Sequence, residues 1–97
     1  MVRHLCLIKY KDPAAVDTAA QAKIEQAYLK LPSIIDGIVS MNVGRDLGLL
    51  DGNYDLAIQA EFTDEAAFRA YSIHPAHGEI VFPALGHFME SYATAQF

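Results

Sequence analysis

Residues 71–77 read Tyr71-Ser72-Ile73-His74-Pro75-Ala76-His77, and how this stretch turns decides how the second half of the chain folds. Proline disfavours the α region for the residue before it, so His74 is expected to leave a preceding helix. Proline also suits the first turn of a helix, where its missing N–H costs nothing. The expected local structure is a helix closed by Tyr71, a sharp break at His74, and a second helix with His77 in its first turn. If both side chains point into one cavity, Tyr71 can donate a proton or a hydrogen bond and His77 can act as a base. The same spacing also suits a core aromatic beside a tight corner, because short motifs of this kind recur by chance.

Upstream of this corner, Thr63 is the expected N-cap, with Asp64 and Glu65 in the first turn where the helix dipole favours acids. Ala67, Phe68 and Tyr71 share one face of that helix. Downstream, a second helix is expected from Pro75 to about Phe82, its end disturbed by Pro83 and Gly86, followed by a strand from His87 to Phe97. Before the corner, Tyr54 to Phe62 alternates as a strand. Tyr54, Leu56, Ile58, Ala60 and Phe62 lie on its apolar face, and Asp55, Ala57, Gln59 and Glu61 on a mixed one. Gly44 to Asn53 reads as a loop without the glycine spacing of a phosphate-binding motif. Ile38 to Arg45 is a strand in which Val39, Met41 and Val43 alternate with Ser40, Asn42 and Gly44.

The N-terminal part has the same grammar. Val2 to Lys11 is a strand with His4, Cys6, Ile8 and Tyr10 on one face and Arg3, Leu5, Leu7 and Lys9 on the other. Asp12-Pro13 opens a helix, an N-cap acid followed by proline, that is expected to run to about Leu31, where Pro32 ends it. Val16, Ala20, Ile24, Ala27, Tyr28 and Leu31 form its apolar stripe. The order is strand, helix, strand, strand, broken helix, strand. That is the α+β, ferredoxin-like βαββαβ pattern: a four-stranded antiparallel sheet with helices on one face. The helices are expected to cover the faces of His4 and Leu56. The opposite face mixes Leu5, Leu7 and Ala57 with Arg3, Gln59 and Glu61. It is too apolar for water and too polar for a deep core, so a homodimer packed sheet to sheet is expected.

Composition sets the outer bounds. The chain has 97 residues, 53% hydrophobic and 20% charged. This fits one domain, residues 1–97, able to build a core. A formal charge of −5 without a basic run argues against a nucleic-acid partner. No apolar run approaches the roughly 18 residues of a membrane span. A signal peptide is not expected, because Lys9, Lys11 and Asp12 follow the short apolar start directly. The single cysteine, Cys6, forbids an internal disulfide and suits a reducing cytoplasm.

Taken together, Val2-Arg3-His4-Leu5, Lys9-Tyr10-Lys11, Gly44-Arg45-Asp46, Tyr54 and the 71–77 stretch resemble the Dabb family, the stress-responsive A/B barrel domains, over nearly the whole chain. The resemblance implies two ferredoxin-like subunits whose sheets close a dimeric α/β barrel. At the corner the chain is similar to the olivetolic acid cyclase-like polyketide cyclases of this family. That similarity implies catalytic roles for Tyr71 and His77 in cofactor-free chemistry and a pocket position for His4. It departs at two pocket positions, where Leu56 stands for a histidine and Gln96 for an aspartate.

The candidate site is therefore His77 as base and Tyr71 as oxyanion donor, with His4, Tyr10, Leu56 and His74 as substrate-binding candidates. Histidine, with a reference pKa near ~6.5, suits base work at neutral pH. No metal and no organic cofactor is expected, since no ligand spacing or nucleotide motif stands out. Two functions stay open. One is a cofactor-independent cyclase, lyase or isomerase acting on a small hydrophobic, oxygenated compound. The other is a non-catalytic, stress-responsive binding or structural dimer. A cofactor-free monooxygenase is a weaker third.

Overall fold

Alternation along the strands decides which side of the sheet the helices take. The computed structural model describes residues 1–97. On strand β1 (Val2–Tyr10) the side chains of His4, Ile8 and Tyr10 are buried, and on β3 (Leu56–Phe62) those of Leu56, Ile58, Ala60 and Phe62 are buried. Arg3, Ala57 and Gln59 on the reverse face are exposed, and Leu5 and Leu7 are half-buried. With β2 (Ile38–Arg45) and β4 (Met89–Gln96) the strands form one antiparallel sheet in the order β2-β3-β1-β4. The chain therefore has the ferredoxin-like α+β fold. Helices α1 (Thr18–Lys30), α2 (Glu65–Ser72) and the short α3 (Phe82–Leu85) supply Ile24, Tyr28, Tyr71 and Leu85 to the core beneath.

Several boundaries differ from those expected, each at an identifiable hydrogen bond or register shift. The helix expected from Asp12 is divided. Asp12 caps only a 3-10 turn, Pro13–Ala15, by accepting from the Ala14 N–H. Asp17 then caps α1 by accepting from the Ala20 N–H at 2.8 Å. Two N-cap acids compete in this stretch, and the second starts the longer helix. Likewise Asp64, not Thr63, caps α2, with its carboxylate accepting from the Ala67 N–H at 2.8 Å. Strand β3 begins at Leu56 because the Asp55 carboxylate takes the Tyr10 N–H at 2.8 Å where the ladder stops. Val39 leaves the apolar alternation: a register shift between Ile38 and Ser40 turns it outward, 53% exposed.

Beyond the corner, Ile73 ends α2 and the chain re-enters a helical path at Pro75. That path widens into a π turn, His77–Val81, before tightening into α3, which continues past Pro83 to Leu85. Pro83, which has no N–H to give, sits in the first turn of α3, separated from the wide turn by Phe82. The expected end near Phe82 thus becomes a change of helix type.

Gly37 shows how tightly α2 is seated. It has φ +90°, and a Cβ there would lie 2.6 Å from the Ala67 Cβ. Its carbonyl also accepts from the Thr63 N–H at 3.0 Å. Gly37→Ala is therefore expected to destabilise the fold by more than about 1 kcal/mol, read from urea denaturation midpoints.

Candidate active site

A cavity of about 370 Å³ lies between the helix-side face of the sheet and the second-half helices. Its floor comes from His4, Cys6 and Ile8 of β1 and Ile58 of β3. One wall is Phe68 and Tyr71 of α2, another is the π turn with His77 and Val81, and Tyr28 of α1 reaches in from the far side. The remaining side is strand β4, whose Tyr92, Thr94 and Gln96 stand opposite Ile8, Cys6 and His4. No helix covers β4, and its residues from Glu90 onward are exposed, so the cavity opens there beside the exposed Tyr92 and Phe82.

The corner brings its two chemical groups together. The rings of Tyr71 and His77 lie edge to face, with centroids 5.0 Å apart and planes at 83°. Tyr28 approaches the same imidazole at 6.4 Å from the other helix. Neither the Tyr71 hydroxyl nor the His77 ring has a hydrogen-bond partner within the protein, and neither is sealed from the cavity. His4 sits 6.1 Å from Tyr71 and 5.0 Å from Phe68, ring to ring, and is only 8% exposed.

Burial sets the protonation states. Every residue lining the cavity is apolar or neutral-polar apart from the two imidazoles, and no carboxylate, lysine or arginine is among them. Desolvation lowers the pKa of His77, and desolvation followed by the proximity of His77 lowers that of His4. Both rings are therefore neutral at pH 7. Burial, and then Cys6, hold the Tyr71 hydroxyl above the usual tyrosine range, so it is a proton-bearing donor. The Cys6 thiol is pushed up to about 11 by burial, so it is not a reactive thiolate. No three of the His, Cys, Asp and Glu side chains gather in a metal-holding cluster.

Three of the expected substrate-binding residues lie elsewhere. Tyr10 is 1% exposed and donates its hydroxyl to Gln21 Oε1 at 2.8 Å, tying β1 to α1. Leu56 is also 1% exposed, two positions along β3 from Ile58 and off the cavity lining. His74 is spent on the backbone: its Nδ1 accepts from the Ala76 N–H at 3.0 Å and so caps the next helical turn. Conversely, Tyr28, expected only in the core, and Thr94 line the cavity, as does Gln96, at a position where the family resemblance implies a pocket residue. The alternation Tyr92, Thr94, Gln96 was a usable signal for β4 once its pairing with β1 was known. Nothing local marked Tyr28 apart from its neighbours in the α1 stripe.

The family model that describes the stress responsive A/B barrel domain, Dabb, matches residues 2–97. The chain belongs to the Dabb family. Among solved structures, this Dabb domain is similar to a dimeric ferredoxin-like protein of unknown function from Thermobifida fusca. They share 32% identity over 99% of this chain and 88% of that one, with a TM-score of 0.82. A Dabb family protein from Mesorhizobium loti is 23% identical over 99% of this chain and 93% of its own, with a TM-score of 0.75. The hydroxynitrile lyase of Passiflora edulis shares the fold at 20% identity, covering 99% and 90% of the two chains with a TM-score of 0.79. No curated protein matches this sequence. No helix of this Dabb domain is long and apolar enough to cross a membrane.

Proposed function

We propose that this Dabb domain acts as a homodimer that binds a small, uncharged, oxygenated hydrophobic compound in each subunit and catalyses a cofactor-independent cyclase, lyase or isomerase step on it. The observation that carries this reading is the pairing of a neutral imidazole, His77, with a partner-free hydroxyl, Tyr71, inside an apolar cavity of about 370 Å³. Pockets that bind small molecules are mostly apolar with a few convergent polar groups, and this one has that character. In the proposed step His77 removes an acidic proton from the substrate, and the Tyr71 O–H donates to the oxygen where negative charge develops. The proton returns from the imidazolium to product, so the site ends the cycle as it began. The Passiflora enzyme, named as a lyase, has the same fold, which is compatible with lyase chemistry on this scaffold.

The dimer reading rests on the reverse sheet face, where half-buried Leu5 and Leu7 lie among exposed polar residues, and on the dimeric state of the Thermobifida relative.

The test is turnover of a panel of uncharged activated carbonyl compounds as a function of pH. His77 is a base whose pKa lies below the ordinary 6.5. The acid limb of kcat/KM is therefore expected below that value, with a plateau above it. Stability follows the same sign. The unfolded chain takes up protons on His4 and His77 as the pH falls through 6.5, while the folded chain resists doing so. Their contribution is complete above 6.5 and is lost as the pH falls toward the lowered folded values. A urea midpoint that stays level from pH 7.5 down to 5 would contradict this. Affinity without turnover across the panel would reduce the reading to a binding protein.

A further inference from the structure

Gln96 has a role that neither the motif at the corner nor the base–donor pair assigns. It is the cross-strand partner of His4 in the β1–β4 ladder, at the open side of the cavity. Its side-chain Nε2 lies 2.9 Å from His4 Nδ1. We infer that Gln96 is a positioning residue that fixes His4 as the Nε2–H tautomer, so that His4 offers the cavity a hydrogen-bond donor and not a second base.

An amide nitrogen only donates, so His4 Nδ1 facing it must carry the lone pair. A neutral imidazole has one N–H, which then resides on Nε2. Nε2 has no protein hydrogen-bond partner and is not sealed off, so that donor is free for a ligand. The ring itself is held by Phe62, Phe68 and Tyr71 at centroid distances of 6.5, 5.0 and 6.1 Å. The other titratable side chains lining the cavity are Cys6, Tyr28, Tyr71, His77 and Tyr92, and no carboxylate side chain is among them to draw the proton to Nδ1. A carboxylate at position 96 would do the reverse. It would accept from Nδ1–H, leave the lone pair on Nε2 and favour the imidazolium.

The consequence is a division of labour: one base, His77, and two donors, the Tyr71 O–H and the His4 Nε2–H. Its meaning for catalysis rests on the carbonyl-site reading above, but the tautomer can be measured without any substrate. In a long-range ¹H–¹⁵N spectrum of histidine-labelled protein at pH 8, His4, assigned by its loss in His4→Gln, is expected to show a protonated Nε2 and an unprotonated Nδ1. In Gln96→Glu the proton is expected on Nδ1, and the His4 pKa is expected to rise by about one to three units. Gln96→Leu should release the ring to a tautomer mixture. A wild-type spectrum with the proton on Nδ1 overturns the inference by itself, even if Gln96→Glu does not fold. So does a Gln96→Glu protein that folds and keeps the wild-type tautomer. The expected tautomer together with no turnover of any carbonyl compound would sink the catalytic reading while leaving this one intact.

Discussion

His77→Ala abolishes turnover and leaves the protein folded: that is the result expected if the corner is catalytic. Of the two neutral imidazoles in the cavity, His77 is the nearer to Tyr71, 5.0 Å against 6.1 Å for His4, ring to ring, while Tyr71 and Tyr28 are both held protonated by burial. His77 makes no side-chain hydrogen bond within the protein, so alanine there strands no buried partner. Tyr71→Phe is the finer probe. It removes only an oxygen that has no protein partner, keeps the ring against Phe62 and His77, and should change stability little. Losing one oxyanion donor typically costs about 10²–10³ in kcat. The expected pattern is a fall in kcat with KM little changed, since the donor acts where charge develops. Steady-state kinetics on both variants, with circular dichroism to check folding, decide it. Wild-type turnover in folded His77→Ala would remove the base from the mechanism. If both variants lose ligand affinity and no reaction exists to lose, the cavity only binds.

Leu5→Asp is expected to convert a dimer into monomers. Leu5 sits on the sheet face away from the helices, opposite Gln59 of β3 and Ala95 of β4, and is half-buried even in a single subunit. A second sheet packed on this face would enclose it. Carrying a carboxylate into such a contact costs several kcal/mol per ion after relaxation. About 3 kcal/mol is roughly a hundredfold in the dissociation constant. Arg3 and Lys9 share this face and offset part of that cost, so Leu5→Asn is the useful companion, polar without a charge to be rescued. Sedimentation equilibrium at micromolar concentration reads the result. Wild-type protein that sediments as a monomer refutes the interface, and so does Leu5→Asp protein that remains a dimer.

The cavity variants and the Leu5 variants probe opposite sides of one sheet, and the division between the faces of β1 and β3 was legible from period-two alternation. His4, Ile8, Leu56, Ile58 and Phe62 turned inward as their spacing required, because a strand cannot present neighbours to the same side. The element order, with two strand–helix units joined by a hairpin, left one economical arrangement, and the sheet has it. The break before Pro75 was equally local, since proline restricts its predecessor whatever surrounds it.

What lay beyond the sequence was any choice between equivalent local signals, and any contact across the sheet. Asp12 and Asp17, or Thr63 and Asp64, are each competent caps, and only the full set of tertiary contacts selects which one starts the long helix. Tyr10 and Tyr71 are both tyrosines on core-facing positions. Tyr10 found Gln21 on α1 and closed off, whereas Tyr71 found no protein partner and kept its hydroxyl for the cavity. His74 and His77 flank the same proline, yet one was captured by a backbone N–H two residues on and the other was carried inward by the π turn. Tyr28 joined the cavity from far along the chain, and Gln96, a pocket position the family resemblance implies, found its partner in His4 across the sheet. Local periodicity determined the fold and placed the corner. Which polar atoms remained free at the cavity was decided by long-range partners, because hydrogen-bond satisfaction in the folded state depends on groups that sequence spacing does not bring together.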